Sequence, residues 1–186
     1  MKKLLLTSLL MTSVAFPLLA SADNHTVSLG YAQSKVQDFK DIKGVNLKYR
    51  YEWDSPVSII GSFTYMSGDE NYNYSDIDEQ FDAKTKVKYY SLAAGPAYRV
   101  NDYISIYGLI GLNYNKIDYS ESWSFYGSDG NYSNNENKSS FMYGAGLQIN
   151  PLSNVAIDIG YEGSSVSSGG KSHSINGFNI GVGYRF

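Results

Sequence analysis

The sequence predicts an eight-stranded antiparallel up-and-down β-barrel that crosses a membrane, an all-β fold. Three observations carry that expectation. Short segments alternate apolar and polar residues with a period of two from Thr26 to the last residue. The connections between them alternate long and short, as a barrel with tight turns on one rim and loops on the other requires. The last stretch, Ser174 to Phe186, sets Phe178, Ile180, Val182, Tyr184 and Phe186 on one face against Gly177, Asn179, Gly181, Gly183 and Arg185 on the other, and ends on an aromatic residue. Termini in water usually fray, whereas an aromatic end suits the closing strand of a membrane barrel.

Composition sets the bounds. A chain of 186 residues reads as one domain. It has no Cys, which excludes disulfides and thiolate metal sites. Tyr and Gly, 18 each, are over-used, and Pro, with 4, is scarce. Beyond the first two dozen residues no run is apolar enough for a membrane helix, which leaves a barrel open because its strands carry only alternating hydrophobicity. Met1-Lys2-Lys3, the apolar stretch Leu4 to Leu19 and Ala20-Ser21-Ala22 read as a cleaved signal peptide over 1–22, leaving 23–186 as the barrel. Export would remove Lys2 and Lys3 and take the formal charge from −3 to −5, an acidic balance that argues against a nucleic-acid partner.

The strands follow in order. Thr26 to Gln33 alternates Val27, Leu29 and Tyr31 with Ser28, Gly30 and Ala32. After a charged loop, 34–43, Gly44 to Trp53 alternates most clearly, with Val45, Leu47, Tyr49, Tyr51 and Trp53 against Asn46, Lys48, Arg50 and Glu52. Asp54-Ser55-Pro56 is a tight turn, and Val57 to Met66 follows. A polar loop, 67–86, leads to Lys88 to Val100, where Pro96 lacks a ladder donor and predicts a bulge or irregularity. Asn101-Asp102 turns the chain into Tyr103 to Tyr114. A second long polar loop, 115–139, precedes Ser140 to Ile149; a turn with Pro151, the strand Val155 to Glu162 and a small-residue loop, 163–173, lead to the closing strand.

Alternation alone does not say which face is outside. A soluble barrel buries the apolar face; a membrane barrel turns it to lipid. Small residues crowd the polar face, as a narrow eight-stranded lumen needs. Aromatics gather at both strand ends on the apolar face: Tyr51, Trp53, Tyr98, Tyr184 and Phe186 near the short turns, and Tyr31, Tyr65, Tyr90, Tyr114, Phe141, Tyr143, Tyr161 and Phe178 toward the long loops. Two such girdles fit a bilayer, so the polar face is the interior. There Glu52, Arg99, Asp158 and Arg185 lie near the short-turn rim, with Lys48, Arg50 and Glu162 deeper. Opposite charges in a narrow lumen are expected to pair as a structural plug, since an unpaired buried charge is costly.

The motifs Ile60-Gly61-Ser62-Phe63-Thr64-Tyr65, Ala94-Gly95-Pro96-Ala97-Tyr98-Arg99, Ser105-Ile106-Tyr107-Gly108, Tyr143 to Gln148 with Asn150-Pro151, and Gly181 to Phe186 resemble the OmpX/Ail/Lom family of enterobacterial outer-membrane proteins, with OmpX the nearer branch. The resemblance covers nearly the whole mature length. It implies a monomeric barrel without a pore in the bacterial outer membrane and loops that leave the cell surface. For some members it implies adhesion to host cells or resistance to complement.

The loops are where function is expected. Loop 67–86 carries six carboxylates against Lys84 and Lys86, and loop 115–139 four against Lys116 and Lys138. Aromatics are interspersed, and Tyr72, Tyr74, Phe81, Trp123, Phe125, Tyr126 and Tyr132 are the candidate contacts for host surface or serum proteins. Tyr and Trp amid Ser, Gly and Asn make an adaptable contact surface. The acidic excess predicts weak binding of sulfated glycans. An alternative is a structural barrel that contacts outer-membrane lipids and lipopolysaccharide through rim lysines Lys43, Lys84, Lys86, Lys88, Lys116 and Lys171. Tyr184 and Phe186 in the last strand are the candidate signal for the barrel-assembly machinery. An enzyme is not expected: His25 and His173, the latter beside Ser172 and Ser174, show no acid partner, and Asp76 to Glu79 lacks the spacing and glycine of a calcium loop. No cofactor or metal is expected.

Overall fold

The computed structural model describes residues 25–186 apart from 38, 77–78, 126–127 and 169–170, and the side chains of 76–79, 125–128 and 167–171 lie outside the described part. The expected signal peptide lies outside the described residues. Eight antiparallel strands close into a barrel in sequence order: β1 (His25–Val36), β2 (Asp41–Glu52), β3 (Val57–Asp76), β4 (Glu79–Arg99), β5 (Ile104–Phe125), β6 (Ser128–Leu152), β7 (Val155–Ser168) and β8 (Lys171–Arg185). β1 and β8 seal the barrel with eleven paired positions from Thr26↔Arg185 to Val36↔Ile175. Beyond them His25 and Phe186 exchange two backbone hydrogen bonds of 3.0 and 2.9 Å, and their rings stack.

The apolar face points outward. Leu29, Leu47, Leu92, Ile110, Phe141 and Val182 are exposed, whereas Lys48, Arg50 and Glu52 are buried at 2–3% exposure. Only lipid makes that inversion favourable, so these strands are the membrane wall. Tyr65, Tyr90 and Tyr114 sit side by side on adjacent strands, with ring centroids 5.0 and 6.4 Å apart, and form part of the upper girdle.

Pro96 interrupts the β4–β5 ladder between Ala94↔Ile110 and Ala97↔Tyr107, yet both pairs obey the same register, so there is no bulge. At this gap the two backbones approach closely: a Cβ on Gly95 would stand 1.9 Å from the Gly108 carbonyl oxygen. The register shift falls instead in β6–β7, between Ile149 and Leu152, around Pro151.

The two long polar stretches are not loops along their length. β3 and β4 pair without a break from Val57↔Tyr98 to Asp76↔Glu79, and β5 and β6 from Ile104↔Ile149 to Phe125↔Ser128. β4 and β5 also pair to Glu79↔Phe125. Their neighbours stop sooner: β2 leaves β3 at Lys43↔Ser67, and β7 leaves β6 at Met142↔Ser164. A four-stranded sheet therefore rises from one side of the barrel, about 30 Å along β3 at the usual strand rise. Within it the inner strands β4 and β5 pair their backbone on both sides and β3 and β6 on one, which lets a polar sequence stay extended in water. The stretches 34–43 and 163–173 are likewise mostly strand, with residues 37–40 outside β1 and β2.

Candidate functional site

The barrel interior holds two charged groups and an apolar cap. Nearest the short turns, Glu52 Oε1 accepts hydrogen bonds from Arg99 Nη2 at 2.6 Å and Arg50 Nη2 at 2.8 Å, and its Oε2 lies 3.2 Å from Arg185 Nε. Arg50 also donates to Gln148 at 2.6 Å and Ser58 at 2.9 Å. Deeper, Lys48 Nζ donates to Asp158 Oδ1 and Asn179 Oδ1, both at 2.5 Å, and stands 5.5 Å from the Tyr107 ring centroid. Counting from the turns groups Asp158 with the rim charges, but it lies against Lys48. Strand tilt and stagger separate position along a strand from depth in the barrel. Glu162 accepts from Thr64 at 2.8 Å and from the Tyr89 hydroxyl. Toward the outside, Val36, Ile42, Met66, Val87, Val166 and Ile175 pack into an apolar cluster, with Phe39 and Ile117 against it. Lys48, Arg50, Tyr89, Tyr107 and Gln148 reach into the lumen and are buried there.

The candidate contact residues stand on the projecting sheet. Strand alternation continues from the barrel wall without a shift, so each residue's face follows from its parity. Tyr72, Tyr74, Phe81, Trp123 and Tyr132 all lie on the face continuous with the barrel interior, together with Tyr119, which is not among the seven candidates. Tyr72 and Phe81 rings are 6.4 Å apart, and Tyr119 and Tyr132 6.3 Å. Trp123 lies over Gly130, where a Cβ would meet its ring at 2.3 Å. Tyr72, Tyr74, Trp123 and Tyr132 remain 40–63% exposed. Phe125 is at the tip and its side chain lies outside the described residues, as does Tyr126. Tyr119 donates to Glu121 at 2.7 Å, and that bond holds its phenol above the ordinary range.

The opposite face of the sheet carries Lys84, Lys86, Lys88 and Lys116 among Asn71, Asn73, Ser120, Ser122 and Asn131, with no aromatic in its upper part among the described residues. Lys86 sits directly between Asp69 on β3 and Asp118 on β5, and Lys116 is 3.6 Å from Asp118. At the foot of this face Lys43, Ser67, Lys88 and Lys116 form one row across β2 to β5, a single layer above Tyr65, Tyr90 and Tyr114.

Both histidines lie away from these groups: His25 Nδ1 is 2.7 Å from the Tyr49 hydroxyl at the lower rim, and His173 pairs with Val166 in the β7–β8 hairpin.

Known proteins share this architecture. Residues 4–186 match the family model described as the outer membrane protein beta-barrel domain. The virulence membrane protein PagC of Salmonella typhimurium is 48% identical over the whole of both chains, and Outer membrane protein X of Escherichia coli 41% over the whole of both. PagC thus exceeds the branch that the strand motifs favoured. The structure of Ail, the attachment invasion locus protein of Yersinia pestis, solved in complex with the heparin analogue sucrose octasulfate, is 37% identical, with a TM-score of 0.65 over 88% of this chain and 99% of that one. With this agreement over its full length, the chain belongs to the OmpX/Ail/Lom family of multi-pass outer-membrane β-barrels.

Proposed function

We propose that this protein is a non-enzymatic outer-membrane barrel whose β3–β6 sheet binds host or other external proteins, for adhesion and for resistance to complement. The observation that carries this reading is the sheet itself, which leaves the barrel wall with exposed Tyr72, Tyr74, Trp123 and Tyr132 on one face. It also presents unpaired edges along β3 beyond Ser67 and along β6 before Met142. Such edges and aromatic patches are what peptide-binding sheets use. A lumen filled by Arg50, Lys48, Tyr107 and their partners leaves the exterior to carry activity. The names of the relatives, virulence membrane protein and attachment invasion locus protein, accord with it.

The test replaces 71–84 and 119–134 by short turns, cutting at the facing pairs Asn71↔Lys84 and Tyr119↔Asn134 and sparing Ile117. Both proteins are expressed in a strain lacking related barrels and scored for host-cell adhesion and serum survival. Gain by the wild type and loss by the folded, trimmed barrel is the expected result. No gain by the wild type overturns the reading.

The row Lys43, Lys88 and Lys116 favours a second, compatible role: contact with lipopolysaccharide phosphates at headgroup level, one layer above the tyrosine girdle. Recognition of Tyr184 and Phe186 by the barrel-assembly machinery is part of the same proposal.

A further inference from the structure

The projecting sheet separates charge by face as well as aromaticity. From the level of Ile117 upward, the face continuous with the barrel interior bears Glu70, Glu121 and Glu136 among Tyr72, Tyr74, Phe81, Tyr119, Trp123 and Tyr132. Among the described side chains no Lys or Arg shares that upper face; Lys138, opposite Asn115, lies below it at the barrel mouth. Lys84 and Lys86 stand on the other face. Glu136 and Tyr119, with Thr85, Ile117 and Asn134, line a hollow of about 240 Å³ at the foot of the aromatic face. The carboxylate of Glu121 is held beside the rings by the Tyr119 hydroxyl at 2.7 Å.

Rings attract a cation over their negative faces, and carboxylates beside them add direct charge attraction. Arg suits such a surface best, since its guanidinium stacks flat on an aromatic and offers a fork of donors to a carboxylate. An anionic ligand would meet only repulsion here, and a purely apolar one would strand the glutamates.

We propose that this aromatic and acidic face docks an Arg/Lys-rich polypeptide segment of the external partner, with Trp123 and Tyr132 stacking its cationic side chains and Glu121 and Glu136 pairing them. The inference rests on the reading of the sheet as a protein-binding surface and names the chemistry of what is bound. Because the acids and rings share one side, a partner approaches over the barrel mouth rather than from the lysine-bearing face.

The experiment uses the full barrel in zwitterionic lipid nanodiscs, with folding checked by heat-modifiable gel mobility. The probes are a fluorescent peptide of alternating Arg and Gly, the same peptide with citrulline for Arg, and fluorescent heparin. The Arg peptide is expected to bind at least tenfold more tightly than the citrulline peptide. Trp123→Ala with Tyr132→Ala, and separately Glu121→Gln with Glu136→Gln, should each weaken it at least fivefold. Lys84→Gln with Lys86→Gln on the other face should leave it unchanged or tighter. Equal binding of both peptides, indifference to both inner-face pairs, or preference for heparin overturns the proposal. Adhesion lost on trimming the sheet, with no Arg-peptide binding, removes this inference and leaves the protein-binding role standing; loss of neither adhesion nor serum survival on trimming removes the broader reading instead.

Discussion

Tyr107 on β5 reaches Asp158 on β7 by crossing β6 over Gly146: its hydroxyl is 2.9 Å from Asp158 Oδ1, and a Cβ on Gly160 of β7 would stand 2.6 Å from that same hydroxyl. Gly146 makes the same allowance, at 2.3 Å. The small residues of the polar face are thus the floor over which long side chains cross the lumen.

Gly160→Val should push Tyr107 off Asp158 and lower stability by about 1–3 kcal/mol, the usual cost of overpacking. Urea unfolding in lipid vesicles measures it. In a Tyr107→Ala background the same change should cost clearly less, because the colliding ring is gone. Additive costs would show that the glycine acts by another route.

Glu52 is the carboxylate that Arg50, Arg99 and Arg185 share. Glu52→Gln leaves three guanidinium groups facing one another around a neutral amide and should cost about 3–5 kcal/mol, as breaking a buried ion pair does. The readout is the same unfolding midpoint.

For Lys48 and Asp158 the expected pattern is a coupled one. Lys48→Met and Asp158→Leu should each destabilise strongly, since each strands a buried charge. The double variant should lie closer to wild type than either single change. A double-mutant cycle decides it, and summed single costs would mean that the two charges act independently.

Trimming 71–84 and 119–134 should leave the barrel folded, because the filled lumen and the apolar cluster of Ile42, Met66, Val87 and Ile175 lie below the cut. The trimmed protein should keep its heat-modifiable mobility and a midpoint near that of the full chain. Failure to fold would show that the sheet supports the wall.

Folded protein should pass through heparin resin at about 0.15 M salt, where exposed charges separated by more than about 8 Å are screened. Asp69 and Asp118 flank Lys86, and Asp118 lies beside Lys116, so acids offset two of the lysines on that face. Retention would show that the lysine row gathers sulfates despite these acids.

The wall was legible from residues 44–53 and 174–186, because a period of two leaves no doubt about which side chains share a face. The projecting sheet was hidden. Stretches 67–86 and 115–139 carry polar residues on both faces, so no greasy stripe marks them as strand. The signal present was the spacing of aromatics, Tyr72 with Tyr74 and Tyr119 with Trp123, which alternate as a strand does. It places them on one face only once pairing is known. Glu70, Glu121 and Glu136 became part of a surface for the same reason.

By itself the sequence determined the barrel, its eight strands and its membrane-facing side: the first two follow from local alternation and the spacing of turns, the third from the aromatic girdles and the small residues of the polar face. Tertiary structure decided the partners. Asp158 meets Lys48 rather than the rim arginines because barrel stagger shifts depth between strands, and the polar hairpins stand as one sheet because each strand satisfies the backbone of the next. Both depend on register between strands, which no single stretch of chain contains.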